Sequence, residues 1–369
     1  MAIAFGPRTP PTPKPPEVVT YVRPADWLEL PEVLETDQKF VGLAAIREGD
    51  INRIRLRAQG AFTVDWGDGT VENFASNTVA SHDYDYDDVA LDGTLSTRGY
   101  KQVIVTLTPQ SGQNLTLLDL SQSLTGSAYV KNSFLDVRLG SPNFTSLTFR
   151  AINIPNQNML MLEQVEIVNL GNITNIDSLF LALHNLKSAS ISNMGFVTDT
   201  SRLFTICTSL LSVSLSDTSS VTEMIAMFFG CSSLTTVPLF DTSSVVNMNR
   251  MFDQCQLLTS IPPFDTSSVT VFDVFISGRS NTFFNSDELT ANLTSIKIAP
   301  INASFDINRS PRLGREAIVE VFNNLSDRTG LSSLTIHIGN NASVEPIGVS
   351  ELTQTDRDIA LNKNWTIVG

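Results

Sequence analysis

The chain has 369 residues, enough for two or three domains with a sizeable core, and carries 38 acidic against 24 basic residues, a formal net charge of −14. That surplus repels phosphate backbones and anionic lipid heads, which argues against nucleic acid and membrane surfaces as partners. No apolar run approaches the roughly 18 residues of a membrane span. Charged residues make up only 17%, so the polar surface must come from Ser, Thr and Asn.

Residues 7–16 hold six prolines in ten positions, which favours extended polyproline geometry and prevents a helix or central strand. This segment is either a disordered tail or an arm that orders on a partner. MAIAFGPRTPPTPKPP reaches proline before an export-signal core forms, so the general secretory route is not expected. The strip that follows, YVRPADWLELPEV, sets Tyr21, Arg23, Trp27, Leu28 and Leu30 around Pro24 and Pro31. Aromatic anchors in a proline-punctuated strip suit docking better than independent folding, so these five residues are the expected docking contacts.

From Val41 to about Pro109 the pattern is that of strands. FTVDWGDGT places Phe62, Val64 and Trp66 on one face and closes on a Gly-Asp-Gly turn, while KQVIVTLTP is β-branched and alternating up to Pro109. In HDYDYDDV, alternation sends His82, Tyr84 and Tyr86 to one face and Asp83 and Asp85 to the other. Trp66 to Gly69, His82 to Tyr86 and Gly99 to Thr108 together resemble the polycystic-kidney-disease type of β-sandwich. That resemblance covers about seventy residues and implies a seven-strand spacer or adhesive module without catalysis; the acidic insertion Asp87 to Thr97 departs from it.

The strongest signal is a 24-residue repeat. DTSSV recurs at Asp217, Asp241 and Asp265, and the same offset aligns Phe204, Phe228 and Phe252, as well as Cys207, Cys231 and Cys255. Leu179-Phe180 extends the register backwards, as do Leu162 and Leu186, giving at least five turns. Leu210, Val213 and Leu215 read as a short inward-facing strand. Val221, Met224, Phe228 and Cys231 recur at helical spacing, and Ser220 with Glu223 offers a capping box. The repeat is therefore expected to be strand, polar turn and short helix. The cysteines are read as buried core positions, since a soft-metal site built on them would lack a fourth ligand and a nearby His. Residues 217–255 resemble the BspA-type leucine-rich repeats, which implies a right-handed solenoid of the kind found on extracellular or virion adhesins, working through its ridge and faces.

The last seventy residues read as a capping unit, with a helix at Arg315–Leu325, a strand at Leu334–Ile338, a helix at Thr355–Asn362 and a final strand at Trp365–Val368. The ending TDRDIALNKNWTIVG resembles the terminal unit after such repeats in tailed-phage and bacterial surface proteins.

Catalytic signatures are missing from this pattern. His82, His184 and His337 fall in different units, and no G-x-S-x-G, P-loop or H-E-x-x-H motif occurs, although two acids can still meet in space. Asp83, Asp85, Asp87 and Asp88 are either a solvated acidic edge or part of a calcium site. The expected fold is β-rich: an extended arm and docking strip (1–40), a β-sandwich (41–112), a repeat solenoid (113–300) and an α/β cap (301–369). The expected function is that of a non-enzymatic structural protein on the surface of a tailed-phage particle, either a capsid decoration or head fibre or a tail fibre, with no cofactor. YVRPADW ahead of the WGDG sandwich resembles virion proteins of marine, cyanophage-like viruses. The arm would bind other virion proteins, copies of the chain would associate on the particle, and the solenoid would meet a host surface glycan or protein. A bacterial cell-surface adhesin and a glycan- or peptide-hydrolysing solenoid enzyme stand as alternatives.

Overall fold

The computed structural model describes residues 20–121, 133–149, 161–271, 295–306, 313–338, 349 and 351–368. The proline-rich segment at 7–16 lies outside the described residues.

The N-terminal half is antiparallel except at one pair, Leu117–Asp119 with Ser146–Thr148, which runs parallel. Its strands are β1 (Lys39–Ile46), β2 (Arg53–Gln59), β3 (Phe62–Asp65), β4 (Val71–Phe74), β5 (Val79–Asp83), β6 (Lys101–Pro109), β7 (Leu117–Asp119), β8 (Phe134–Gly140) and β9 (Ser146–Thr148). Strand β2 alternates cleanly: Ile54, Leu56 and Ala58 are buried, while Arg53, Arg55 and Arg57 face outward. Strand β1 is apolar without alternation because both of its faces are covered. Phe40, Ala44 and Ile46 join the main core with Phe62, Val64, Trp66 and Leu118, whereas Val41, Leu43 and Ala45 join a smaller cluster with Trp27, Leu30 and Val33. The WGDG turn needs its first glycine. Gly67 has φ +82°, and a Cβ there would lie 2.4 Å from the Ile104 carbonyl oxygen.

The sheet does not stop where the sandwich was expected to end. After β10 (Gln164–Asn169), β11 (Ser188–Ile191) and β12 (Ser212–Leu215), the order is β12-β11-β10-β8-β1-β6-β3-β4, with a second sheet β5-β2-β7-β9. Strand β8 is the joint, antiparallel to β1 on one side and parallel to β10 on the other. A single sheet thus crosses the boundary expected at residues 112 and 113.

From β10 onward the chain is a β-solenoid of about seven turns. Ser188 pairs with Ser212 and Ile191 with Leu215, so residues 24 apart lie over one another. A second ladder runs through Asn175, Asp199, Glu223, Asn247 and Val271.

The stripe read as a helix is built differently. The amides of Thr200, Arg202, Phe204 and Ile206 donate to the carbonyls of Glu223, Ile225, Met227 and Phe229 in the next coil, while those of Leu203, Thr205 and Cys207 donate three residues back. Arg202 and Ile206 take φ of 54° and 61°, and Ser178, Ala182, Ala226, Arg250 and Gln254 repeat the left-handed conformation at the matching positions. A run of such turns brings an apolar residue inward every third or fourth position, as a helix does, so the two are indistinguishable by spacing. The turns prevail because they aim half of their amides at the neighbouring coil, whereas a helix satisfies its amides internally. For the same reason the Ser220–Glu223 capping box does not form: Ser220 ends a 3₁₀ turn at Thr218–Ser220, and Glu223 bridges the coils on either side.

The stack continues through β13 (Ser260–Ile261) and β14 (Ser295–Ile296) and ends on a parallel sheet of β15 (Phe305–Asp306), β16 (Leu334–His337) and β17 (Trp365–Val368). Helices α1 (Arg315–Asn324) and α2 (Gln354–Asn362) lie where the pattern places them. Helix α1 buries Ala317, Ile318, Val321 and Phe322, and α2 begins on a capping box between Thr353 and Asp356. Asp356 also accepts two hydrogen bonds from Arg315, at 2.8 and 2.7 Å, tying the helices together. Among the described residues no helix is long and apolar enough to cross a membrane.

Candidate functional site

The expected docking strip is committed within its own chain. Trp27 is 3% exposed, donates through Nε1 to the Tyr100 hydroxyl at 2.8 Å, and lies under the guanidinium groups of Arg23 and Arg98. Leu30 is buried and Leu28 packs against the same cluster. Arg23 donates to Asp136 at 2.7 Å, and the Tyr21 hydroxyl donates to Glu163 at 3.2 Å. Burial pushes the Asp136 carboxyl above its ordinary range, against the pull of Arg23. Burial would also raise Glu163, but hydrogen bonds from Lys187 and Arg98 hold it below. Residues 20–35 therefore form a strap over the outer face of the continuous sheet. The reason is area: β1 and β8 leave apolar side chains on that face, and the nearest apolar strip in the chain covers them.

Within the solenoid the repeated residues form internal columns. The rings of Phe180, Phe204, Phe228 and Phe252 stack with centroids 5.6, 5.5 and 5.6 Å apart. Cys207, Cys231 and Cys255 are free thiols, each donating to the carbonyl of Phe180, Phe204 or Phe228 at 3.1, 3.1 and 3.0 Å. Burial pushes all three thiols well above their ordinary range, which keeps them protonated as these bonds require. A third column escaped the sequence reading. Thr218, Thr242 and Thr266 are buried, and their hydroxyls donate to the carbonyls of Asp241, Asp265 and Pro300. The signal was present in DTSSV itself, as a β-branched hydroxyl residue at a fixed 24-residue spacing.

The aspartates of DTSSV are not equivalent. Asp241 accepts from the Ser243 amide and hydroxyl at 3.1 and 2.7 Å, which holds its carboxyl below the ordinary range, and Asp265 accepts from the Ser267 amide at 2.9 Å. Asp217 instead adopts φ 60° and caps nothing. Its carboxylate meets only the Ser216 hydroxyl, at 3.5 Å, among the described residues.

Asp217 lines an open cleft of about 310 Å³ with Pro142, Asn169, Gly171, Asn172, Asn193, Gly195 and Phe196. The repeat register explains its shape. Asn169, Asn193 and Asp217 are 24 residues apart and form one column at the ends of β10, β11 and β12. Asn172 and Phe196 stand where later coils carry Ser220, Ser244 and Ser268, and Gly171 and Gly195 lower the floor between the two columns. Gly171 has φ +61°, and a Cβ there would approach the Phe144 amide nitrogen to 2.5 Å. Asn193, at φ 56°, donates through Nδ2 to the Val168 carbonyl at 2.9 Å. Phe196 is 63% exposed. Alignment of the coils on their shared residues hides this cleft, which is made of what coils 169–196 do not share with the others.

The acidic loop disperses its charges. Asp83 pairs with Arg53, Asp85 accepts from the Asp87 amide at 3.0 Å, and Asp88 caps the 3₁₀ turn at Val89–Leu91. Among the described residues, no group of three or more His, Cys, Asp or Glu could hold a metal ion. The histidines stay apart: His82 Nε2 donates to Asp68 at 2.6 Å under the Trp66 ring, His184 lies 3.4 Å from the Thr208 hydroxyl, and His337 sits on β16.

A family model described as Mycoplasma protein of unknown function, DUF285, matches residues 151–236 and 198–302. The match covers the solenoid and not the sandwich or the cap. No curated protein and no solved structure matches the chain. The family match and the stacked 24-residue coils fit a BspA-type repeat protein.

Proposed function

We propose that the chain is a non-enzymatic binding protein on the surface of a tailed-phage particle, a capsid decoration or head fibre or a tail fibre, with the solenoid as its binding element. The observation that carries the binding part is a division of labour within each coil. The Phe, Cys and Thr columns join coils and the Asp241 and Asp265 side chains close turns within their own coils, whereas the outward corner position carries Asn172, then Phe196, and serine only in the later coils. A regular scaffold with a varied surface is the usual division between stability and recognition in repeat proteins. The particle part rests on the resemblance of the YVRPADW strip ahead of the WGDG sandwich to virion proteins, and on that of the terminal unit to tailed-phage and bacterial surface proteins. Copies of the chain would associate there, with residues 1–19 left to contact other virion proteins.

The bacterial cell-surface reading is favoured by one observation, the description of the matching family by a Mycoplasma source. Mass spectrometry of purified particles separates the two. Hundreds of copies mean capsid decoration and a handful a tail fibre; recovery only in host envelope fractions overturns the particle reading. Removing residues 1–19 should abolish incorporation while the strap stays in place, and unchanged occupancy would show that attachment lies elsewhere.

A further inference from the structure

We infer that the cleft between Asn169, Asn193, Asp217 and Phe196 is a binding site for a neutral saccharide, an inference that rests on the reading of the chain as a binding protein. The first ground is that the site departs from the repeat where the repeat has no need of it. Phe196 replaces the serine found at 220, 244 and 268, yet it adds nothing to the core, standing 63% exposed. An exposed ring beside two glycines is a flat apolar plate with clearance above it.

The second ground is Asp217. It belongs to the same DTSSV motif as Asp241 and Asp265, but its side chain makes no turn hydrogen bond, and its backbone takes the left-handed conformation of Asn193 one coil earlier. Its carboxylate and the amide of Asn172, both exposed, are directed hydrogen-bonding groups that line the same cleft as the ring.

The third ground is charge. The lining has one carboxylate, three asparagines and no cation. Phosphate, sulfate and sialic acid would meet Asp217 uncompensated. Asn169 and Asn193 are tied to the backbone of Gly171, Glu35 and Val168, so a ligand with many hydroxyls would donate to the carboxylate in charge-assisted bonds, exchange donor and acceptor bonds with the Asn172 amide, and lay its C–H face on Phe196.

The test uses the full chain, fluorescently labelled, on an array of neutral, sialylated and sulfated oligosaccharides, followed by titration of the best neutral ligand. Phe196→Ser installs the residue that other coils carry, and Asp217→Asn keeps a residue tolerant of the left-handed backbone, so both variants should melt like the parent chain. We expect neutral oligosaccharides to bind, with affinity falling about tenfold in Phe196→Ser and severalfold in Asp217→Asn. Absence of neutral binding, preference for charged glycans or for peptides, or unchanged affinity in Phe196→Ser would overturn the assignment. A particle that carries the chain and adheres equally well with Phe196→Ser would defeat this site and leave the proposed function standing; absence of the chain from particles would defeat the latter alone.

Discussion

The sandwich and the solenoid share one sheet but are held together by different chemistry. Around the sandwich, its strap and its joint with the first coil, charged pairs recur: Arg23 with Asp136, Arg57 with Asp119, Arg98 with Glu163, and Arg138 with Glu166. Within the stacked coils the recurring links are neutral donors to carbonyls, from Thr218, Thr242, Cys231 and Cys255, with Lys187–Glu163, Arg202–Asp177 and Arg250–Asp253 as ion pairs. Stacking in register accounts for the contrast. A coil placed about 4.8 Å above its copy puts each residue over its own kind, so a repeated charge repels itself while a repeated hydroxyl or thiol can donate along the stack. Where acids do stack, the effect is visible: the Glu223 carboxyl is raised, by burial first and then by the neighbouring charge of Asp199.

The largest expected effects put one region against the other. Arg23→Ala leaves the carboxylate of Asp136, a fully buried residue, without its partner and should cost about 3–5 kcal/mol. Phe228→Ala opens a cavity between Phe204 and Phe252 and should cost a similar ~3–5 kcal/mol. Denaturant unfolding measures both; a negligible Arg23 effect would mean that the strap is not a structural part of the sandwich. The next effect tests the neutral ladder. Thr242→Val keeps the shape but removes the donor to the Asp265 carbonyl, and should cost about 1–2 kcal/mol by thermal unfolding.

The cap adds a pH-dependent term. Hydrogen bonds, first from Arg315 and then from Thr353, lower the Asp356 carboxyl from 3.8 to about 2. A depressed carboxylate stabilises the fold above its unfolded value and loses that contribution as the pH falls, here between about 4 and about 2. Melting curves of Asp356→Asn across this window should lack that component. The smallest effect contrasts two copies of one motif. Asp241→Gly should cost about 1 kcal/mol through loss of its turn acceptor, whereas Asp217→Gly should be close to neutral, since glycine relieves the left-handed backbone. Equal losses at the two sites would show that Asp217 has a structural role of its own.

The sequence alone determined the 24-residue register, the inward columns of Phe204, Phe228 and Phe252 and of Cys207, Cys231 and Cys255, the strand faces around Trp66 and both cap helices. Each of these depends on local periodicity or on a repeat, which one chain carries in full. Tertiary structure decided what periodicity leaves degenerate. Turns and a helix bury the same positions of Val221–Cys231, and only a neighbouring coil at hydrogen-bonding distance favours the turns. Trp27 and Leu30 are equally apolar whether they meet a partner or their own sheet, and the uncovered face of β1 and β8 settled it. Asp217 and Asp241 begin identical pentapeptides, yet they differ because Pro238 to Phe240 reroutes the later coil, turning Leu239 out and Phe240 in. Which copies of a motif hold the fold together, and which are left to face solvent, is set by the coils stacked around them and not by the residues of the motif.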